Sequence, residues 1–332
     1  MSQFNKAQEI YEVLLHQTKN ESDKTPIYYQ LGRIKYSQGE YLEALSFYEK
    51  ALAILQQLLP SDHPDLGDSY NRTGIVHGSM GDYPKALSYY EKALAIKQQS
   101  LPSNHHDLGD FHNNIGTVYD DMGDYSKALL AHEKALAILQ QSLPSNHPNF
   151  TSLYMGIANV YYSMADYPEA LSYYEKDLAI LQQSLPSNHP DLAMSYNNIG
   201  NVYRSMGDYS KALSSHENAL TIRQQILPSN HPDLATSYNS IGSVYYSMSD
   251  YSKALSYYEK ALAIRQQSLP STHPDLGASY NNIGVVFENM GNYSKADSFY
   301  ERAVQNGQQS LPPNHPTLQQ RTKNLENIKK KL

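Results

Sequence analysis

The stretch Ser195–Pro228, SYNNIGNVYRSMGDYSKALSSHENALTIRQQILP, recurs in close copies along almost the whole chain. A histidine in the connecting segment sets the register. It returns every 42 residues, at His63, His105, His147, His189, His231, His273 and His315. A fixed period of this size is typical of a solenoid, in which each unit buries its apolar face only against its neighbours. The sequence therefore predicts one elongated repeat domain over residues 1–332 rather than two globular domains.

One unit has the pattern of two antiparallel helices. Within Asp191–Met206 the apolar residues recur at steps of three and four, which predicts an amphipathic helix, helix A. Gly207 is a C-terminal stop and Asp208 an N-cap, so a tight turn follows. Helix B then runs over Tyr209–Leu227, and Pro228 ends it because proline cannot continue a helix.

Small residues recur at one position in each helix, where they allow the two helices to approach closely. They are Gly74, Gly116, Ala158, Gly200, Gly242 and Gly284 in helix A, and Ala86, Ala128, Ala170, Ala212, Ala254 and Ala296 in helix B. This pattern resembles the tetratricopeptide repeat (TPR), in the 42-residue form of kinesin light chains and nephrocystin-type scaffolds. The resemblance implies an all-α fold, a right-handed α-solenoid superhelix of antiparallel helix pairs.

The repeat pattern divides the chain into seven full repeats with a shorter segment at each end. The full repeats are 25–59, 65–101, 107–143, 149–185, 191–227, 233–269 and 275–311. Residues 1–19 align with a helix B that has no helix A, and Asn20–Lys24 is predicted to be a short polar connector. The segment 314–332 begins like a helix A and then becomes polar and basic. This pattern predicts a C-terminal capping helix with a polar, solvent-exposed outer face.

Composition excludes several classes of function. A net charge of −7 with mixed signs provides no basic stripe, so a nucleic-acid partner is not expected. The chain has no cysteine, which fits a reducing compartment, and no apolar run approaches the roughly 20 residues that cross a bilayer. We therefore predict a cytoplasmic protein with no membrane partner and no cofactor.

Candidate chemistry outside the repeat pattern is sparse. His105, His106 and His112 are the one histidine cluster, and we interpret His106 as a replacement of the usual proline and His112 as a replacement of the usual tyrosine. A metal site is the alternative interpretation, and no metal site is predicted. The tyrosines recur at core positions. Neither a phosphate-binding glycine loop nor a nucleophile with its base stands apart from the repeat, so no enzyme activity is predicted.

The surface of helix A that does not face helix B is the candidate binding site. In related repeats an asparagine here holds the backbone of a bound peptide, and amide side chains both donate and accept hydrogen bonds. The candidate groove residues are Asn71, Arg72, Asn113, Asn114, Asn197, Asn198, Arg204, Asn239, Asn281 and Asn282. In the alternative interpretation these asparagines satisfy the array's own helices. Met155 and Gly156 interrupt the row, and basic residues are few, which favours an internal peptide segment over a free C-terminus.

The leading hypothesis is a non-catalytic scaffold that binds peptide segments of partner proteins in its concave groove. A second is a substrate-recruiting or regulatory region of a larger enzyme, for example of ADP-ribosyltransferase type, with its catalytic domain upstream of Met1. A third is weak self-association through the half-repeat ends, where an apolar helix face is exposed.

Overall fold

The computed structural model describes residues 3–311 and 315–332, and these residues form sixteen α-helices and no strand. The chain divides into two compact units, one up to Asp166 and one from Tyr167 onward. The first unit contains α1 (Gln3–Gln17), α2 (Glu21–Ser37), α3 (Tyr41–Leu58), α4 (Pro64–Ser79), α5 (Tyr83–Ser100), α6 (His106–Asp121), α7 (Tyr125–Ser142) and α8 (Asn149–Ser163). The second contains α9 (Tyr167–Ser184), α10 (Pro190–Met206), α11 (Tyr209–Ile226), α12 (Pro232–Ser247), α13 (Tyr251–Ser268), α14 (Pro274–Asn289), α15 (Tyr293–Ser310) and α16 (Pro316–Lys329).

The predicted array of paired helices is confirmed, with helix A even-numbered and helix B odd-numbered. Inside each unit the helices of a pair pack more extensively against each other than against the next pair. Gly207 adopts the predicted left-handed conformation with φ of 81°, and the Asp208 side chain accepts a hydrogen bond from the Lys211 amide at 3.2 Å. Ala165 and Ser249 take the same conformation without being glycine, each with φ of 61°. That all repeats form one domain stays a prediction.

The connector histidines begin the A helices. In every connector the histidine Nδ1 accepts a hydrogen bond from the backbone N–H two residues later, at 3.2 to 3.3 Å. This bond satisfies one of the amides that a helix N-terminus leaves without an intrahelical partner. The repeat pattern identifies these residues as connectors but does not predict their capping role.

The predicted connector Asn20–Lys24 is wrong, because α2 already begins at Glu21. Asn20 is the N-cap, and its side chain accepts from the Ser22 amide at 3.3 Å. Glu21 and Asp23 place negative charge in the first turn, where the helix dipole favours it. In the other complete pairs the helices begin and end within one residue of the predicted repeats.

The two end helices differ in polarity. In α1, Ile10, Val13 and Leu14 are more than 40% exposed, at 54%, 54% and 41%. In α16, Gln319 and Glu326 occupy the positions of Gly277 and Gly284 in the preceding helix A, so the face that would meet a helix B is polar. Parts of both predicted end segments, residues 1–2 and residue 314, lie outside the described residues. Among the described helices none is long and apolar enough to span a membrane.

Inside each unit, a helix pair is closed by the contact of a small residue in helix A with a ring in helix B. A Cβ atom added to Gly74 would lie 2.8 Å from Cε1 of Tyr90, a ring that is 3% exposed. The corresponding ring is tyrosine in five repeats and histidine in two, and all seven are buried. These rings are Tyr48, Tyr90, His132, Tyr174, His216, Tyr258 and Tyr300.

We expect Gly74→Ala to lower the free energy of unfolding by about 1–3 kcal/mol, because the added methyl group overlaps the Tyr90 ring. Gly78→Ala is the control in the same helix, since its Cβ would lie 3.7 Å from Val118, an ordinary contact. That change should be neutral or stabilise by about 0.5 kcal/mol. Urea denaturation followed by circular dichroism measures both, and equal effects would contradict the packing described.

Candidate binding surface on the A helices

The predicted groove residues lie on successive A helices of each unit. We call this surface the A-face; it is formed by α2, α4, α6 and α8 in the first unit and by α10, α12, α14 and α16 in the second. The predicted asparagines on it are half-buried, whereas Arg72 is exposed. Each half-buried amide can therefore bond to a neighbouring helix with one part and contact solvent with the other.

The asparagines bond to one another between neighbouring repeats. Asn114 Nδ2 donates to Asn71 Oδ1 at 3.1 Å, a pair of residues 43 apart. The second unit has three consecutive bonds of the same kind: Ser240 Oγ to Asn197 Oδ1 at 3.1 Å, Asn282 Nδ2 to Asn239 Oδ1 at 2.9 Å, and Asn324 Nδ2 to Asn281 Oδ1 at 3.1 Å. We call this set the amide ladder. It shows that these side chains satisfy the array's own helices, as the alternative interpretation held.

The ladder bonds also orient the amides. In the Asn71–Asn114 pair, the bond uses the oxygen of Asn71 and the nitrogen of Asn114. An asparagine side chain has both an acceptor oxygen and a donor nitrogen. The Nδ2 of Asn71 and the Oδ1 of Asn114 therefore take no part in this bond. Each Asn–Asn pair therefore presents one donor and one acceptor in fixed positions.

Two ladder positions in the first unit have different chemistry. The Arg72 guanidinium lies 5.1 Å from the centroid of the Tyr29 ring, a cation–π contact in place of an amide pair. Asn113 faces Gly156, which has no side chain to donate, and its Oδ1 is buried without a hydrogen-bond partner. The interruption predicted at Gly156 is thus a gap in the ladder.

The other two predicted residues take no part in ladder bonds. Asn198 is half-buried on α10. Arg204 is half-buried on the same helix, and its charge adds to the burial that lowers the pKa of His216. The two predicted arginines lie in different units, Arg72 on α4 of the first and Arg204 on α10 of the second.

A cavity of about 250 Å³ opens on the A-face of the first unit, between α2, α4 and α6. Tyr36, Ser79, Asn114 and Asp121 line it, and the Tyr36 hydroxyl lies 2.8 Å from Ser79 Oγ. Burial raises the pKa of the Asp121 carboxyl. The cavity therefore combines hydroxyl, amide and carboxyl groups beside the amide ladder.

The three clustered histidines of the third repeat are divided between two places. His105, His106 and Asp107 bring their ligand atoms within 4.8 Å of one another, and the two imidazole rings stack at 4.5 Å. His105 Nδ1 is already the acceptor in its helix cap. His112 lies elsewhere, in a cavity where burial and then Lys134 lower its pKa. The three histidines therefore do not form one site.

Two of the core rings are histidines with no hydrogen bond. His132 packs between Gly116 and Gly156, and His216 packs against Gly200. Both nitrogens of each ring are buried without a partner. Burial lowers the pKa of His132 to about 4; burial, with the nearby Arg204 and Arg223 charges, does the same for the pKa of His216. Both rings are therefore held neutral in the folded chain.

Asp177 is a buried carboxyl at a position where the other repeats have alanine. It is 1% exposed and accepts a hydrogen bond from the Ser195 hydroxyl on α10. Burial raises the pKa of this carboxyl to about 6, although the Ser195 hydrogen bond acts in the opposite direction. The other repeats have Ala51, Ala93, Ala135, Ala219, Ala261 and Ala303 there.

Comparison with known families agrees with this architecture. The sequence matches the tetratricopeptide repeat family in five segments, over residues 25–99, 80–141, 150–225, 193–267 and 233–309. These segments include most of the chain, and the chain belongs to the tetratricopeptide repeat family. No curated relative matches it significantly.

Several solved structures have the same fold. BtubC (BKLC) from P. vanneervenii is 24% identical with a TM-score of 0.53, and the match covers 63% of this chain and 84% of that chain. The nearly identical TPR-like repeats of a Podosopora anserina kinesin light chain candidate are 23% identical with a TM-score of 0.54, covering 61% and 96%. A signal transduction ATPase (STAND protein) with a tetratricopeptide repeat sensor from Pyrococcus horikoshii is 16% identical with a TM-score of 0.69, covering 97% of this chain and 49% of that chain. At these identities the likeness shows the fold alone.

Removing a ladder bond should cost more than removing the asparagine at the gap. We expect Asn282→Ala to lower the free energy of unfolding by about 1 kcal/mol, because Asn239 Oδ1 loses its donor. Asn113→Ala should cost clearly less, because it removes a buried acceptor that has no partner. Urea denaturation compares the two variants, and the reverse order would contradict the assignment of the ladder.

Asp177 should make stability depend on pH. Its folded pKa of about 6 lies above the ordinary aspartate value of 3.8, so the folded chain binds the proton more tightly. Ionisation of Asp177 therefore lowers stability as pH rises from about 4 to about 7, and this loss is complete above that range. Asp177→Ala should raise the melting temperature more at about pH 8 than at about pH 4.5.

Asp177→Asn is the matched control, because it keeps an acceptor for Ser195 but cannot ionise. Its advantage over the unchanged protein should grow with pH in the same way. A gain for both variants that is the same at the two pH values would contradict the burial of an ionised carboxylate.

Proposed function

We propose that the protein is a non-catalytic cytoplasmic scaffold whose A-face binds an extended peptide segment of a partner protein. The observation that carries the proposal is the amide ladder, which holds donors and acceptors at a repeated spacing. A peptide backbone alternates donors and acceptors whatever its sequence, so an orientated row of amides suits it.

The spacing of the repeats supports this match. Packed helices lie about 8–10 Å apart, and an extended chain rises about 3.3 Å per residue. One ladder pair therefore corresponds to about three peptide residues. Within the second unit, the bonds at Asn197, Asn239 and Asn281 follow one another without interruption. We assign the main binding track to this unit, along α10, α12, α14 and α16.

An internal peptide segment suits this track better than a free C-terminus. A carboxylate terminus calls for paired cations, which bind it through charge-assisted hydrogen bonds. Each unit has one of the two predicted arginines: Arg204 is on α10 of the second unit, and Arg72 stacks on Tyr29 in the first. Affinity would then come from several adjacent ladder positions, each contributing a little.

A second candidate is a sensing or recruiting region within a larger regulatory protein. It is favoured by the Pyrococcus horikoshii structure, because 97% of this chain matches about half of a protein described as having a tetratricopeptide repeat sensor. The two candidates share the A-face as binding surface. They differ in whether binding is relayed to another domain.

The binding test uses changes that keep the ladder and remove only its outward donors. In Asn197→Asp/Asn239→Asp/Asn281→Asp each carboxylate still accepts the ladder bond, but the Nδ2 donor is lost. Peptides selected from a random dodecapeptide display library on the unchanged protein should bind this variant at least about tenfold more weakly. Fluorescence polarisation measures the dissociation constants.

The control is Asn188→Asp/Asn230→Asp/Asn292→Asp, which adds the same charge at exposed positions outside the A helices. Asn292 caps Lys295 through Oδ1, and aspartate keeps that oxygen. Binding by the control should stay within about twofold of the unchanged protein. Equal binding by both triple variants, or a selection that enriches no peptide, would remove the A-face assignment.

A further inference from the structure

In several repeats a lysine or arginine side chain of helix B lies against two aromatic rings, one from helix A and one from helix B. Lys92 Nζ is 5.8 Å from the centroid of the Tyr70 ring and 5.3 Å from that of Tyr89. Other repeats show the same arrangement: Lys50 with Tyr28 and Phe47, Lys260 with Tyr238 and Tyr257, and Arg302 with Tyr280 and Phe299. We call this arrangement the cation–ring contact. It consists of a tyrosine from helix A and an aromatic ring and a cationic side chain from helix B.

The fifth repeat keeps the tyrosine of this contact and loses the other two members. Tyr196 is present on α10, but α11 has Ser215 where those helices B have a ring and Asn218 where they have the cation. A cavity of about 340 Å³ opens here between α9, α10 and α11, and Tyr196 and Asn218 both line it. Among the residues that line it, Asn218 is shorter and uncharged where those repeats have a lysine or an arginine.

The third repeat has an equivalent cavity with one difference. A cavity of about 280 Å³ is lined by Gln98, Leu108, His112 and Ile138, each 84 residues before its counterpart in the fifth repeat. Ala131 removes the ring here too, but Lys134 keeps the cation, and its charge adds to the burial that lowers the pKa of His112. This repeat therefore shares with the fifth the loss of the helix B ring, but it has a positive charge near its cavity.

The cavity of the fifth repeat has the chemistry that holds a cationic side chain. Its floor includes Leu192 and Ile222, which are 3% and 8% exposed and suit the apolar stem of lysine or arginine. Gln182 donates to the Tyr196 hydroxyl at 3.0 Å, which holds the ring in place. None of the residues that line this cavity carries a charge, and the side-chain oxygens of Asn218 and Gln225 can accept from N–H groups.

We propose that this cavity is a second protein-binding site, which takes an arginine side chain of a partner protein over the face of Tyr196. In the seventh repeat the Arg302 guanidinium lies 4.1 Å from the Tyr280 ring centroid, and its Nη2 donates to the tyrosine hydroxyl at 2.9 Å. The partner's arginine would reproduce this contact between molecules. The net charge of −7 favours the approach of a basic segment.

Arginine fits this site better than lysine or a neutral side chain. A planar guanidinium both stacks on a ring and donates to several acceptors, whereas an ammonium is a compact, strongly hydrated charge. The site is also separate from the A-face, because helices B form two of its three walls. One partner segment on the A-face and another at this cavity would therefore bind independently.

The test uses N-acetyl-arginine amide as the probe and records the side-chain amide NMR signals of Gln182, Asn218 and Gln225. We expect saturable shifts of these signals with a dissociation constant in the millimolar range, as for one buried group. N-acetyl-citrulline amide has nearly the same shape without the charge and should bind about tenfold more weakly. Equal binding of the two probes, or arginine shifts spread over the surface without saturation, would overturn the proposal.

Two variants test the site from opposite directions. Asn218→Lys restores the residue found in the second and sixth repeats and should abolish binding of the arginine probe. Tyr257→Ser/Lys260→Asn gives the sixth repeat the residues of the fifth and should create a second site, with new shifts at Gln224, the counterpart of Gln182. Binding that survives Asn218→Lys, or a double variant that folds without gaining a site, would contradict the assignment.

Discussion

The close approach of a small residue in helix A to a ring in helix B is the contact on which the rest of the structure depends. At Gly74 and Tyr90 there is no room for even a methyl group between the helices. This approach brings each pair together, and the packed pair then presents its helix A beside the next one. The amide ladder and the cavity on the A-face follow from that placement, because their members come from successive A helices.

Residues within one helix pair were predictable from the sequence, and contacts between repeats were not. Gly207 and Asp208 mark the turn because left-handed backbone and N-caps have strong residue preferences. The ladder joins residues that are 43 positions apart, whereas the repeat is 42 residues long. Each bond therefore joins two different positions of the repeat, and a comparison of equivalent positions does not reveal it. Histidine capping was missed because Asn, Asp, Ser and Thr are the usual caps. At Asn20 that usual signal was present and was followed by acidic residues, which together indicate a helix start rather than a connector.

The distinctive chemistry lies where a repeat departs from its copies. His132 and His216 replace tyrosine in the core, and in the same two repeats Ala131 and Ser215 replace the neighbouring ring. The third and fifth repeats thus change two adjacent helix B residues together, and both open a cavity on the side of helix B. Asp177 is a third departure, with a buried carboxyl whose pKa is raised by its surroundings. A repeat scaffold can accommodate such changes because each unit packs only against its neighbours.

Native-state hydrogen exchange tests most directly whether the helix A–helix B pair is the cooperative element of the array. The close contact of small residue and ring, together with the more extensive packing inside a pair, predicts that α4 and α5 lose protection together, as do α12 and α13. Each helix B should not open as one element with the helix A that follows it. If α5 exchanged in step with α6 while α4 exchanged independently, the contact between small residue and ring would not define the cooperative element, and its central role in the fold would be contradicted.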